Sequence, residues 1–482
     1  MSFNFNQIPP TNFSPGVHTE FDPSGAPGVT APRKVLLIGY DHPASAGAQE
    51  EPKPIGAASE WHRKAQISSL IRAYRRIDET SSVDAIAVAE PDTGTAADVE
   101  ITMSGTATEG GVLAVYIAGK LIEVGVASGD TADNVAAAIA AAVEADLDVP
   151  VTAAAVGPVV TLTAAFKGSE GNRLAVAIDP KSSQNGVAGV SPSLSALTFF
   201  TGGAGTPDLA ATLSLVTDER YYAIVSGFSD GTSLTSLAQD FAARWSATNE
   251  KMGQGIAGIS GTQASMEAEM AVRNDEELTL MNSGQSTSPA WEAAAQAAAY
   301  AALKSNPATG WEGFQLLGLD APPLASRPDK GEREALLRLG ISTFRVDGST
   351  MVLDQLVTTK TADSSGDPDF SALLLTRRLT IQFLRENLRS RLSTKFRNFS
   401  LADEPDVEPR NGLPILTPAL LISELIAWFK EMRDVHGLTQ GINKYKAIVA
   451  AAVNGDPNRL DAFNPPKLVR QLVTIGVLFQ PR

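Results

Sequence analysis

At 482 residues the chain is long enough for about two to four domains, and its 43% hydrophobic content can fill their cores. It has no cysteine, which removes disulfide frameworks, cysteine–zinc sites, iron–sulfur clusters and thiol nucleophiles together. Four histidines (His18, His42, His62 and His436) supply metal chemistry poorly, and a net charge of −15 argues against direct nucleic-acid binding or an anionic membrane surface. No apolar run approaches about 18 residues, so no membrane insertion is expected. The opening residues, MSFNFNQIPP, lack the basic and apolar regions of a secretory signal.

Residues 1–32 read as an N-terminal linking arm. Pro9, Pro10, Pro15, Pro23, Pro27 and Pro32 leave no helical period between them, and Val17, Thr19 and Phe21 alternate as in a single strand. Fully extended, such an arm reaches roughly 110 Å. It is either disordered or laid on something other than its own domain.

The first folded unit is predicted to begin at Arg33. Lys34 to Gly39 is an apolar run of the kind carried by a buried parallel strand. A helix over about 60–77 puts Trp61, Ala65, Ile67, Leu70, Ile71 and Tyr74 on one stripe, and Asp84 to Ala89 is the next strand of a β–α–β crossover. From Asp92 to Gly205 the texture shifts to Ala, Val, Thr and Gly. Val112–Ile117 and Leu121–Val126 flank Ala118-Gly119-Lys120 as a hairpin. Thr131 or Asp130 caps a helix over about 132–145, and 159–163 and 174–178 read as strands. Residues 92–205 are therefore predicted to form a small α+β domain, net acidic, inserted in a loop of the first. After Gly205 the alternation resumes. Strands at 221–226, 256–260 and 278–281 alternate with helices at 233–248, 263–274 and 289–304, the pattern of a doubly wound α/β core over 33–91 and 206–330.

A C-terminal α+β domain is predicted over 331–466. Asp347-Gly348 joins a hairpin of 344–346 with 351–353. A long helix runs over about 371–395. Thr417-Pro418 opens another, closed by Gly437. Residues 445–453 read as a strand. The end, 467–482, is a linking strand in which Leu468, Val469, Leu472, Val473, Ile475, Val477 and Phe479 are the β-prone positions.

Gly227-Phe228-Ser229-Asp230-Gly231 matches the G-x-S-x-G nucleophile elbow, with a strand before it and a helix after. A serine hydrolase using Ser229 needs a downstream histidine, and His436 is the one the sequence offers. The plainer reading, a capped strand-to-helix turn, is favoured, so no catalytic, metal or cofactor residue is assigned and no cofactor is expected. Gly253-x-Gly255-x-x-Gly258 precedes a strand rather than following one, and reads as a helix-to-strand loop. The acidic run 403–408 reads as a solvated loop. The helix 371–397 carries seven basic residues against Glu386 alone. It is either a solvated face or a docking face for an acidic partner, with Arg385, Arg389 and Lys395 on one side. Leu375, Leu379, Phe383, Leu388, Leu392 and Phe396 form its apolar stripe. A strand-bearing arm and an uncovered apolar terminal strand are hazards in a monomer. They make sense if each completes a sheet in a neighbouring copy, unless the last strand pairs within its own domain, with 445–453.

These features resemble a known family. Phe5-Asn6-Gln7-Ile8-Pro9-Pro10, Pro15-Gly16-Val17, Glu20-Phe21-Asp22 and Val35 to Gly39 resemble the start of contractile phage tail sheath proteins of the Mu-like family. Asp456-Pro457-Asn458-Arg459-Leu460, Asn464-Pro465-Pro466 and the closing strand resemble its end. Phe383 to Lys395 and Leu401-Ala402-Asp403 resemble the stretch before that end. The resemblance implies a structural subunit, not an enzyme, with a subtilisin-like core lacking a protease site. It implies stacked hexameric rings around a tail tube, with terminal arms exchanging strands between copies. It further implies a metastable sheath that contracts to drive the tube through the host envelope for genome ejection. The partners implied are further copies of the chain, the tube protein, and baseplate and tail terminator proteins. The place implied is the virion tail, after assembly in the host cytoplasm. The sheath of a phage-derived bacteriocin or injection system fits the same residues. On this reading the Pro-rich stretch before Arg33 and Ala462 to Pro466 are hinges, the insert faces outward, and Arg385, Arg389 and Lys395 face the tube.

Overall fold

The computed structural model describes residues 33–42, 52–54, 61–178, 187–194, 197–402, 414–453 and 456–474. The arm 1–32 with Val17, Thr19 and Phe21, the acidic run 403–408, and Ile475, Val477 and Phe479 lie outside them. The chain is mixed α/β and divides into two compact units. One holds the described residues between 33 and 380 with 470–474, the other those between 381 and 469. No helix among the described residues is long and apolar enough to cross a membrane.

In the larger unit, nine of the described strands form one sheet. Its order is Gln315–Leu316, Thr350–Gln355, Ile341–Asp347, Leu278–Asn282, Gln254–Ile259, Ala223–Ser226, Val35–Tyr40, Val83–Val88, Lys53–Pro54. From Ile341–Asp347 to Val83–Val88 every pairing is parallel, and the edges are antiparallel. Val35–Tyr40 is buried at every position. That is why it reads as an unbroken apolar run and not as an alternation. The helix Gln66–Arg75 buries Ile67, Leu70, Ile71 and Tyr74, the predicted stripe, with Trp61 and Ala65 buried just before it.

Two boundaries differ from the sequence reading. The hairpin Ile341–Asp347/Thr350–Gln355 belongs to the large sheet, and the compact unit continues to Thr380, not to 330. Leu280 and Met281 pair with Ile341 and Ser342, which draws the hairpin in. Gly255 and Gly258 lie inside the strand Gln254–Ile259, not in a loop. A Cβ on Gly258 would stand 2.2 Å from the carbonyl carbon of Ala290, and one on Gly255 2.8 Å from Leu237 Cγ. The glycines therefore let the helices Ala290–Leu303 and Gly231–Arg244 approach the strand closely.

Strands between 96 and 199 make two sheets of their own. Val190–Pro192, Ala96–Gly105, Val159–Lys167 and Val151–Val156 form one, and Thr198–Phe199, Ala175–Ile178, Gly111–Ile117 and Lys120–Val126 the other. Ile117 pairs with Lys120 across a two-residue turn in which Ala118 has φ 49° and Gly119 φ 76°. That left-handed pair matches the twist of the strands. Thr131 caps the helix Ala132–Ala145, its side chain accepting from Asn134 N–H.

In the smaller unit Thr417 caps the helix Pro418–Asp434, with Pro418 at its first position. Leu425, Trp428, Phe429, Met432 and Tyr445 are buried there, and the Phe429 and Tyr445 rings stack 4.1 Å apart. The expected strand 445–453 is instead the helix Ile442–Ile448 followed by the strand Ala450–Val453. Tyr445 is drawn into a helical turn by its stack on Phe429 and its hydroxyl bond to Asn464 Oδ1, 2.6 Å. Ala450–Val453 pairs antiparallel with Leu460–Phe463.

Candidate functional site

The serine turn has a strand before it, Ala223–Ser226, and a helix after it, Gly231–Arg244, capped by Asp230, which accepts from Thr232 and Ser233 N–H. Gln66 fixes the turn, donating to Gly227 O at 2.7 Å while accepting from Tyr40 N–H at 3.0 Å. Ser229 is 4% exposed. Its N–H and hydroxyl both donate to the Glu170 carboxylate, at 3.0 and 2.9 Å. Glu170 sits on the short turn Ser169–Arg173, between the strands Val159–Lys167 and Ala175–Ile178. Burial pushes its carboxyl above the usual range against the pull of Arg173 and Ser229, with Asp230 adding to the rise. Arg173 lies 3.5 Å from Glu170 and 3.0 Å from Glu269. His436 belongs to the other compact unit, with its ring beside Phe383. The nucleophile-elbow serine is thus a buried donor committed to a carboxylate. An acyl transfer needs an exposed hydroxyl with an imidazole or equivalent base within hydrogen-bond reach.

The basic helix is Leu375–Lys395. Its apolar stripe is fully buried only at Leu375 and Leu379, with Leu384 beside it, while Phe383, Leu388, Leu392 and Phe396 are half-buried. Much of its charge has partners inside the chain. Arg378 pairs with Glu276 and Glu277 at 3.2 and 3.0 Å and lies 3.5 Å over the Trp245 ring. Arg391 pairs with Glu424 and Glu431. Lys395 lies 2.6 Å from Glu424, so it is first an internal partner and not a free docking charge. Burial raises the Glu424 carboxyl, but bonds from Lys395 and Arg391 outweigh it and hold it below the usual range. Arg385 is half-buried and Arg389 exposed.

The terminal strand is only partly a strand. Lys467–Leu468 pairs antiparallel with Thr439–Gln440, and Val469 N–H donates to Leu438 O at 2.9 Å. Leu468 and Val469 therefore already have partners in their own chain, though not at 445–453. Beyond them Leu472 and Val473 are 71% and 62% exposed. Gln471 between them and Arg470 turns inward to Gln355 and Thr376. Sequence reasoning missed both Glu170 and Gln471. Each is a single polar residue whose partner is distant in sequence, and no local pattern marks it.

Residues 202–359 match the phage tail sheath protein central domain. The whole chain is 29% identical over 484 residues to the Mu-like prophage FluMu tail sheath protein of Haemophilus influenzae, covering 98% of each. The fold also aligns with the sheath tail protein of Desulfitobacterium hafniense, TM-score 0.44 at 13% identity over 94% of this chain and 100% of that one. It aligns with the sheath tail protein of Listeria innocua, TM-score 0.47 at 14% identity over 92% and 94%. The chain is thus similar to phage tail sheath proteins in its central domain and along its full length.

Proposed function

We propose that the chain is the subunit of a contractile tail sheath. Copies stack as hexameric rings around a tail tube, exchange strands through residues 1–32 and 467–482, and shorten to drive the tube through the host envelope. The observation that carries this reading is the end of the chain. After the short pairing at Lys467–Leu468, a β-prone segment presents Leu472 and Val473 to solvent. Exposed apolar side chains on an unpaired backbone are what strand addition to a second copy would cover. The similarity to a prophage tail sheath protein favours the virion tail over an injection system. Assembly in the host cytoplasm and contacts with tube, baseplate and tail terminator proteins belong to the same reading.

Within the subunit, 33–91 and 206–330 form a doubly wound core, extended by the hairpin 341–355, and 92–205 form an inserted outer domain. Gly255 and Gly258 support the doubly wound reading. Their separation puts them on opposite pleats of one strand, and each makes room for a helix. Negative-stain microscopy of the concentrated protein tests the proposal. Tubes or stacked rings of sheath-like width support it, and a protein that stays monomeric at every concentration and salt overturns it.

A further inference from the structure

The Gln471 side chain is held in a built cradle. Its Nε2 donates to Gln355 Oε1 at 2.9 Å, and Gln355 Nε2 donates back to Gln471 Oε1 at 3.1 Å. The Thr376 hydroxyl adds a third bond to the same Oε1 at 3.0 Å. Gln355 and Thr376 are 8% and 2% exposed, so the amide pair is closed on its inner side. Gly310 makes the room: a Cβ there would stand 3.1 Å from Gln471 Nε2. Gly310 is itself held, its carbonyl accepting from Lys304 Nζ at 2.8 Å. If Gln471 leaves, the buried amide of Gln355 loses both of its bonds to it, which is costly away from water. The residues that follow gain nothing from this docking, because Leu472 and Val473 point outward. The one inward residue of the segment is thus polar and specific, while its apolar residues are kept available.

We propose that Gln471 is a latch that parks the C-terminal segment on its own chain until a neighbouring copy takes it. This rests on the strand-exchange reading above. The latch acts as a kinetic brake: a free subunit must break the amide pair before its terminal strand can be exchanged. Neutral bonds of this kind favour the docked form by roughly tenfold or more. That is enough to slow nucleation and weak enough for a neighbouring sheet edge to overcome.

The absence of cysteine gives a clean test. A Cβ on Gly310 would lie 3.8 Å from Gln471 Cγ, the position that the sulfur of a cysteine at 471 would take, so small side-chain adjustments bring the two sulfurs together. The full-length double variant Gly310→Cys/Gln471→Cys is oxidised as a monomer, mapped by peptide mass, and then reduced. The expected result is a 310–471 cross-link that blocks tube formation, with tubes restored on reduction. In parallel, Gln471→Ala is expected to shorten the lag of tube assembly by roughly tenfold. Failure to cross-link, a cross-linked protein that assembles normally, or an unchanged lag in Gln471→Ala overturns the latch. A wild-type chain that forms no tubes while the cross-link still forms overturns the strand-exchange reading instead, so the two failures are distinguishable.

Discussion

Glu170 accepts both the N–H and the hydroxyl of Ser229, at 3.0 and 2.9 Å, and thereby ties the turn between two small sheets to the mouth of the central parallel sheet. The contact converts a sequence that looks like a nucleophile elbow into a structural pin. Ser229→Ala removes one of its bonds and is expected to cost about 1 kcal/mol in urea unfolding. Glu170→Ala also strips Arg173 of one of its two carboxylates, and is expected to cost about 3 kcal/mol. A fluorophosphonate probe should leave Ser229 unlabelled, and stoichiometric labelling there would refute the pin.

The pin has a pH signature. The Glu170 carboxyl is raised in the folded chain, chiefly by burial. Its contribution to stability is therefore full below the ordinary value of 4.5 and is lost as pH rises through the folded value. Glu170→Gln should flatten that fall. Urea midpoints of the two proteins, compared from acid to neutral pH, should differ in slope.

Gly258 should not tolerate a side chain, since its Cβ would strike the backbone of Ala290 at 2.2 Å. Gly258→Ala is expected to cost at least about 2–3 kcal/mol in thermal unfolding. Gly125→Ala is the control. Nothing lies within 4 Å of its Cβ, and its φ is not left-handed, so a change below about 1 kcal/mol is expected.

Regular elements were legible where the pattern was local. The buried runs at Val35 and Ile256, the hairpin turn at Ala118-Gly119, and the caps Thr131 and Thr417 follow from residue chemistry within a few positions. Four strands in the stretch 96–199 carry no clear sequence signal: Ala96–Gly105, Val151–Val156, Val190–Pro192 and Thr198–Phe199. Thr, Ala and Ser dominate there, and small residues carry little hydrophobic alternation. The local pattern at Tyr445 suggests a strand because its stack on Phe429 is a tertiary fact. From the sequence the basic helix is either a solvated or a docking face, because the carboxylates that meet it, Glu424 and Glu431, lie on a later helix.

The internal ion pairs of this helix decide which of its charges can probe a tube contact. Lys395→Glu would place a carboxylate beside the buried Glu424, and Arg391→Ala would leave Glu424 and Glu431 short of a partner. Either should cost about 2 kcal/mol at neutral pH, reduced from the fully buried case by solvent around the cations. The folded Glu424 value is depressed, so this stability is present above about pH 4.5 and lost as pH falls through the folded value. Urea midpoints of wild type and Glu424→Gln should therefore converge in acid. The double change Arg385→Glu/Arg389→Glu avoids that cluster. It is expected to block assembly on purified tube while tube-free polymerisation continues, as co-sedimentation with tube would report.

Excising 92–204 for a short Gly/Ser linker is geometrically allowed. Thr95 and Ala204 exchange backbone bonds at 3.0 and 3.1 Å, so the ends already meet. The removal also takes away Glu170, and with it Glu144 and Asp148, which pair with Lys64 and with Arg63 and Arg72. The shortened chain is expected to fold with a lower melting temperature and still to polymerise. Calorimetry and microscopy together check both halves.

Truncation after Arg470 asks whether the end of each chain completes a neighbour. This leaves the Lys467–Leu468 pairing in place and removes only the segment from Gln471 onward. Negative-stain images of the truncated and full-length proteins at equal concentration give the measurement. Tubes from the full chain and folded, tube-free protein from the truncation are the predicted result. Normal tubes from the truncated chain would contradict it.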